Sequence, residues 1–173
     1  MTVAAVVLLA VLVVTGLSAT LAGERLRSPL PAVLLVVLLA LAAAAAWRAG
    51  RPADGLADAG RLLAVAVAAL AGGPVTTAVL RAADPDRGPS RRRASDPEVL
   101  RGGAWIGVLE RTALAATLLA GWPEGLAVLI AVKGLGRFNE LKAPVAAERF
   151  IIGTLASALW AVGCVGVAVL LRS

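Results

Sequence analysis

The 173-residue chain has no histidine, no tyrosine and only one cysteine. The lack of histidine removes the commonest metal ligand in proteins and the usual general base near neutral pH. Because no two Asp or Glu residues are spaced to hold a metal by themselves, we expect no metal or other cofactor. The single thiol, Cys164, has no partner for an internal disulfide, so we predict that it is a small packing residue.

Long polar segments are also scarce. Hydrophobic residues make up 60% of the chain, against roughly half in an ordinary soluble domain. An apolar run of about 20 residues can cross the hydrocarbon core of a bilayer as a helix. Six apolar segments fill most of the chain: 3–22, 30–47, 62–80, 102–122, 125–137 and 149–171. The sequence therefore predicts an all-α, polytopic integral membrane protein with a bundle of six transmembrane helices.

The fifth segment is the weakest of the six. Only eight uncharged residues, 125–132, precede Lys133 in this segment, and Arg137 follows four residues later. The helix spans the membrane if the two basic side chains extend to the surface or face protein. Otherwise it is re-entrant, which leaves five spanning helices and one re-entrant helix. The first segment lacks the Lys/Arg-rich start of a secretory signal, so we expect a retained helix rather than a cleaved peptide.

Arginines are unevenly distributed among the loops. Six lie between the third and fourth segments, whereas the loop between the fourth and fifth has none. Because positive residues in short loops mark the cytoplasmic side, we predict that loop 81–101 is cytoplasmic and that the N-terminus is outside. The chain then divides into three apolar transmembrane helices (1–80), this arginine-rich loop, and a three-helix unit (102–173). In such a protein the net charge of +6 indicates anionic membrane lipid as a partner, and not nucleic acid.

The third segment contains Gly72, Gly73 and Pro74 near its centre. Proline removes one backbone hydrogen bond from a helix, and neighbouring threonine hydroxyls can satisfy the freed carbonyl groups. We therefore predict a helix break here. Breaks of this kind line binding sites in transporters, although plain kinks arise from the same chemistry.

Charged residues inside or at the edge of the last three segments form the most informative pattern: Glu110, Arg111, Lys133, Arg137, Glu148 and Arg149. An ionised side chain near a helix centre costs about 2.5–3.5 kcal/mol on insertion scales, so Glu110 must be paired, protonated or hydrated. We expect a salt bridge with one of the basic residues. Lys133 and Arg137 are favoured, since Arg111 points about 100° away from Glu110 on the same helix.

Small residues accompany the charges at a spacing of four. Gly103 with Gly107 precedes Glu110, and Gly153 with Ser157 follows Arg149. Pairs of this kind let two membrane helices approach closely. We therefore predict tight helix packing beside the charged residues.

Three sequence blocks carry the charges and the small residues: Gly103-x-x-Ile106-Gly107-x-Leu109-Glu110-Arg111, Ala131-x-Lys133-x-x-x-Arg137-Phe138, and Glu148-x-Phe150-x-Ile152-Gly153-Thr154-Leu155-x-Ser157. In this order the blocks resemble the C-terminal half of an uncharacterised family of small bacterial inner-membrane proteins. The resemblance is limited to residues 103–157 or so and implies three closing membrane helices in a bacterial plasma membrane. It implies no activity, because that family has no assigned reaction.

Several roles are open to these charges. They can fix the register of the helices, bind an anionic lipid headgroup or a small anion, or carry ions through Glu110. No nucleophile–base pair, metal set or phosphate loop accompanies them, so we expect no enzyme. Our first hypothesis is a non-enzymatic membrane component that binds a protein partner, a second copy of itself or anionic lipid through a charged, cytoplasm-facing core. The second is a small transporter or channel that uses Glu110 and the predicted break in the third helix.

Overall fold

The structure of the protein is a computed structural model, and it describes residues 1–22, 28–49, 54–83, 103–138 and 142–171. Within these ranges the chain forms six α-helices and no β-strand. The helices are α1 (Thr2–Ala22), α2 (Leu30–Trp47), α3 (Asp54–Ala83), α4 (Gly103–Leu119), α5 (Glu124–Gly136) and α6 (Pro144–Leu170). The predicted all-α architecture is confirmed for this part of the chain. Most of the arginine-rich loop, from residue 84 onward, lies outside the described residues.

Helix α3 lies at the centre of the bundle. It packs against α1, α2, α4 and α6, and its Val67 is fully buried together with Leu9 of α1 and Leu35 of α2. A Cβ atom at Gly16 would overlap Ala71 of α3, so these two helices touch backbone to backbone. Small residues at such contacts are typical of helices that associate where burial from water supplies little driving force.

The turn between α4 and α5 follows from local sequence. Gly121 has a φ of 76°, a left-handed conformation that glycine adopts without a steric penalty. The amide of Gly121 donates to the carbonyl of Leu118 at 3.2 Å, and that of Trp122 donates to the carbonyl of Thr117 at 2.9 Å. This pair of hydrogen bonds is a Schellman motif, which satisfies two carbonyls at the end of α4. The next helix begins at once, so α4 and α5 form a tight hairpin.

Four helices are long and apolar enough to cross a membrane: α1, α2, α3 and α6. Exposed apolar side chains such as Val14, Leu62 and Leu159 cover their outer faces. Helices α4 and α5, with 17 and 13 residues, are about 26 and 20 Å long at 1.5 Å per residue. A bilayer core of about 30 Å exceeds both.

The predicted break in α3 is not present in the structure. Residues 54–83 form one helix with Pro74 inside it, so the backbone at Gly72 and Gly73 is not unwound. The physical reason is that proline costs the helix one hydrogen-bond donor, whereas the flanking turns keep theirs. Gly72 serves a different purpose, which the neighbouring side chains explain.

Candidate functional site

Arg111 of α4 is buried against the backbone of α3. Its Nε donates to the carbonyl oxygen of Ala68 at 2.9 Å, and its Nη2 donates to that of Ala69 at 2.8 Å. Trp160 of α6 adds a third bond, from Nε1 to the carbonyl oxygen of Val67 at 3.3 Å. A carbonyl oxygen has two lone pairs, so each can accept a side-chain donor in addition to its helical N–H. Three consecutive carbonyls of α3 therefore hold α4 and α6 in place.

Gly72 makes this arrangement possible. A Cβ atom there would lie 2.5 Å from Cδ of Arg111 and 2.8 Å from Cδ1 of Trp160. Gly107, one turn before Arg111, has a similar role, because a Cβ there would lie 3.1 Å from the Nη1 atom of Arg111. Both glycines thus leave space for a buried guanidinium. For Gly107 this differs from the predicted role of admitting another helix.

Glu110 and Lys133 form the expected salt bridge. The Oε2 and Nζ atoms are 2.5 Å apart, and the two side chains are 25% and 21% exposed. Lys133 also lies over the ring of Phe150 in α6, with Nζ 5.8 Å from the ring centroid, which is within the range of a cation–π contact. The prediction that Glu110 pairs with Lys133 or Arg137 and not with Arg111 is confirmed, and the partner is Lys133. The salt bridge connects α5 to α4, and the contact between Lys133 and Phe150 connects α5 to α6.

A cavity of about 500 Å³ lies among α3, α4, α5 and α6. Four basic residues line it together with one carboxylate: Arg111, Lys133, Arg137, Arg149 and Glu110. Among the described residues that line the cavity, four positive charges and one negative charge give a formal sum of +3. The cavity lies near the end of the bundle where α3 and α5 finish and α4 and α6 begin. In our orientation prediction this is the side of the arginine-rich loop.

The structure brings together most of the residues that the sequence singled out. Gly103, Gly107, Gly153 and Ser157 all line the cavity, so their small size opens space there. Gly153 also packs on α3, since a Cβ there would lie 3.5 Å from Cδ1 of Leu80. Glu148 is the exception among the charged residues. It lies on an exposed face near the start of α6 and does not line the cavity.

Sequence reasoning missed two kinds of residue at this site. Trp160 was not predicted to contact α3, although it lies at the same helical spacing as Gly153 and Ser157 and could have been found from that pattern. The hydroxyl of Thr154 was also missed, and the hydroxyl of Thr76 does not bond a carbonyl freed by Pro74 as the sequence suggested. Both Oγ1 atoms are buried and have no hydrogen-bond partner among the described residues, and both residues line the cavity.

A second, smaller cavity of about 30 Å³ lies deeper in the bundle. Apolar side chains such as Leu114 and Leu129 line it. Five residues line both cavities: Glu110, Arg111, Lys133, Thr154 and Ser157. The salt bridge is thus part of the wall that the two spaces share. Within the described ranges, no three Cys, Asp or Glu side chains lie close enough to hold a metal ion.

Comparison with known proteins gives no identification. No protein-family model, no curated protein and no solved structure is detectably similar to this chain. The resemblance of residues 103–157 to a bacterial membrane family therefore stays a prediction from the three sequence blocks. The case for function depends on the geometry of the cavity.

Proposed function

We propose that this protein is a non-enzymatic component of the bacterial plasma membrane that binds anionic lipid through the cavity beside α4. One observation carries the proposal: in the described part of the chain, four basic side chains and a single carboxylate, Glu110, line a space of about 500 Å³. A space of this charge in a low-dielectric surrounding attracts an anion. Anionic lipids give the cytoplasmic face of a membrane its negative surface potential, so they are at hand for such a site.

The proposed topology supplies such a lipid at the right place. It has six membrane helices, with the N-terminus outside and loop 81–101 in the cytoplasm. The cavity then opens at the cytoplasmic leaflet, where anionic headgroups and basic residues attract each other by about 1 kcal/mol per residue. In this arrangement Lys133 of the short helix α5 pairs with Glu110 inside the bundle, and the exposed Arg137, just after the end of α5, extends to the cytoplasmic surface.

The apolar part of the cavity wall also favours a lipid over a small soluble anion. Trp105 and Ile106 line the cavity and are 71% and 50% exposed. A tryptophan at this depth is typical of a membrane–water interface. An acyl chain can follow these exposed apolar side chains while the headgroup remains among the basic residues.

The test is the lipid content of the purified protein. The double variant Arg137→Gln/Arg149→Gln removes two of the four cavity charges. At about 1 kcal/mol for each charge, it should weaken binding of anionic lipid by up to roughly 30-fold. Mass spectrometry of lipids that co-purify with the full chain measures this. The control variant Arg48→Gln/Arg61→Gln removes the same charge from the end of α2 and the start of α3.

Loss of anionic lipid only in the cavity variant supports the proposal, whereas equal lipid content in both variants overturns it. An acidic protein recovered in place of lipid, or a second copy of the chain, would also overturn it. Either would point to a protein partner.

A second candidate function is transport of a small ion. The salt bridge in the wall that the two cavities share favours it, because Glu110 and Lys133 stand where a path through the bundle would narrow. The uninterrupted helix α3 counts against it, since the unwound backbone of a transporter site is lacking there. Flux of protons into liposomes that is present in the wild type and lost in Glu110→Gln would favour transport over lipid binding.

A further inference from the structure

We infer that the inner wall of the cavity is a phosphate-binding site formed by the guanidinium of Arg111 and the hydroxyls of Thr76, Thr154 and Ser157. The inference rests on the proposed function, because it names the chemical group by which the anionic ligand is held. Buried groups within the bundle then recognise the phosphate. The basic residues near the helix ends, Arg137 and Arg149, then serve to attract the ligand.

The three hydroxyls differ from others in the same bundle. A serine or threonine hydroxyl in a helix commonly donates to the carbonyl three or four residues earlier. Thr112 and Thr117 of α4 do so, with distances of 2.9 Å in each case. Thr76 and Thr154 do not, although their hydroxyl oxygens are buried. Ser157 is 7% exposed, and its hydroxyl likewise bonds to no other described residue.

The contacts between α3 and α6 place these hydroxyls at about the same height along the two helices. Gly72 meets Trp160, and Leu80 meets Gly153. The two helices are antiparallel, so residues midway between these contacts face each other. The midpoint is Thr76 on α3 and lies next to Ser157 on α6. Thr154 lies three residues before Ser157 and so on the same face of α6. All three side chains line the same cavity.

Arg111 supplies the charge for this site. Two of its nitrogens are held by the carbonyl groups of Ala68 and Ala69, which fixes the plane of the guanidinium. Its Nη1 donates to no group in the described part of the chain, and the residue lines the cavity. Arg111 is 6% exposed and forms no ion pair with a described carboxylate. Because a buried charge is costly unless it is paired, an anion in the cavity would supply the pairing charge for Arg111.

The donors suit a phosphate group in particular. Thr76, Ser157 and Arg111 bring donors to the cavity from three helices, α3, α6 and α4, so each can donate to a different oxygen. The Oγ1 atoms of Thr76 and Thr154 are buried, so rotation about χ1 has to turn each of these hydroxyls into the cavity before it donates. A phosphate presents oxygen acceptors in several directions, whereas a carboxylate presents two in one plane. The phosphate can belong to a lipid headgroup or be free in solution.

The experiment removes the hydroxyls and keeps the shape of the side chains. Valine is close to threonine in shape but has a methyl group in place of the hydroxyl. The full chain in detergent is titrated with phosphatidylglycerol and, separately, with inorganic phosphate, for the wild type, Thr76→Val/Thr154→Val and Thr76→Ser/Thr154→Ser. Affinity is measured from ligand-dependent shifts of the unfolding temperature Tm.

We expect the valine variant to bind phosphatidylglycerol about tenfold more weakly, and its Tm without ligand to be equal to or above that of the wild type. The second effect is expected because a buried, unpaired hydroxyl is replaced by an apolar group. The serine variant should keep the affinity. Unchanged affinity in the valine variant overturns the inference, as does an equal loss in both variants.

The outcomes separate this inference from the proposed function. If Arg137→Gln/Arg149→Gln loses lipid and the valine variant does not, the lipid function stands and the inner phosphate site is wrong. If inorganic phosphate binds and depends on the hydroxyls while phosphatidylglycerol does not bind, the site stands and the lipid function is wrong. Binding of phosphatidylglycerol alone identifies a lipid headgroup as the source of the phosphate.

Discussion

Arg111 and Trp160, on different helices, donate hydrogen bonds to neighbouring carbonyl oxygens on the same turn of α3. A charged side chain and an indole thus use the backbone of a third helix as their acceptor. Within a membrane, where water cannot satisfy either donor, such acceptors decide whether a buried arginine is tolerated. The turn of α3 that ends at Gly72 is therefore the structural centre of the bundle.

Replacement of Arg111 by lysine should destabilise the protein. A lysine ammonium is a compact charge on a flexible chain and cannot reproduce the fixed, planar pair of bonds to Ala68 and Ala69. Hydrogen bonds from charged groups contribute about 1.5–3 kcal/mol each, so we expect a loss on the order of 3 kcal/mol and a Tm lower by several degrees. Arg48→Lys, at the end of α2, is the control. Equal Tm values for the two variants would contradict the role assigned to the guanidinium.

Gly72→Ala should destabilise the protein although alanine favours helices. The added Cβ would lie 2.5 Å from Cδ of Arg111, so the arginine or the helix must move, at a cost of about 1–3 kcal/mol. Gly166→Ala is the matched control, because nothing lies within 4 Å of a Cβ at that position of α6. There the helix preference of alanine should stabilise by up to about 1 kcal/mol. Thermal unfolding that moves in the same direction for both variants would count against the proposed contact.

Glu110 and Lys133 should be energetically coupled. In Glu110→Gln or Lys133→Met the remaining charge loses its partner in a half-buried place, whereas the double variant loses both charges together. We expect the double variant to be more stable than the sum of the single effects predicts, by about 0.5–3 kcal/mol. Denaturation of the four proteins in one detergent gives the coupling energy. Strict additivity would show that the 2.5 Å contact contributes nothing measurable.

The orientation prediction can be tested with single cysteines. Cys164 is fully buried, so Cys164→Ala gives a background without a reactive thiol. In intact cells a membrane-impermeant reagent should label Glu124→Cys, at the start of α5, and leave Ser90→Cys unlabelled until the membrane is opened. Labelling of Ser90→Cys alone would reverse the topology.

The helices could be predicted because long apolar runs specify them almost directly. The salt bridge could be predicted because a carboxylate deep in a helix must find a cation, and Lys133 was one of two that share a face. The partners of Arg111 could not be predicted, because they are backbone carbonyl groups. Every residue has one, so the sequence does not show which of them accept a hydrogen bond. The same limit explains the error at residues 72–74. A glycine that makes room for an arginine looks identical, in sequence, to one that breaks a helix.

The hairpin of α4 and α5 has a consequence for how the protein is made. Glu110 and Lys133 lie on its two arms, and the Gly121 turn joins them. Their charges therefore cancel within residues 103–138, before α6 has been synthesised. In the proposed six-helix topology, a newly made hairpin would enter the membrane with this pair already neutralised. Arg111 meets its acceptors only when the hairpin packs on α3, so the same segment would carry one charge pair that favours insertion and one charge that directs assembly.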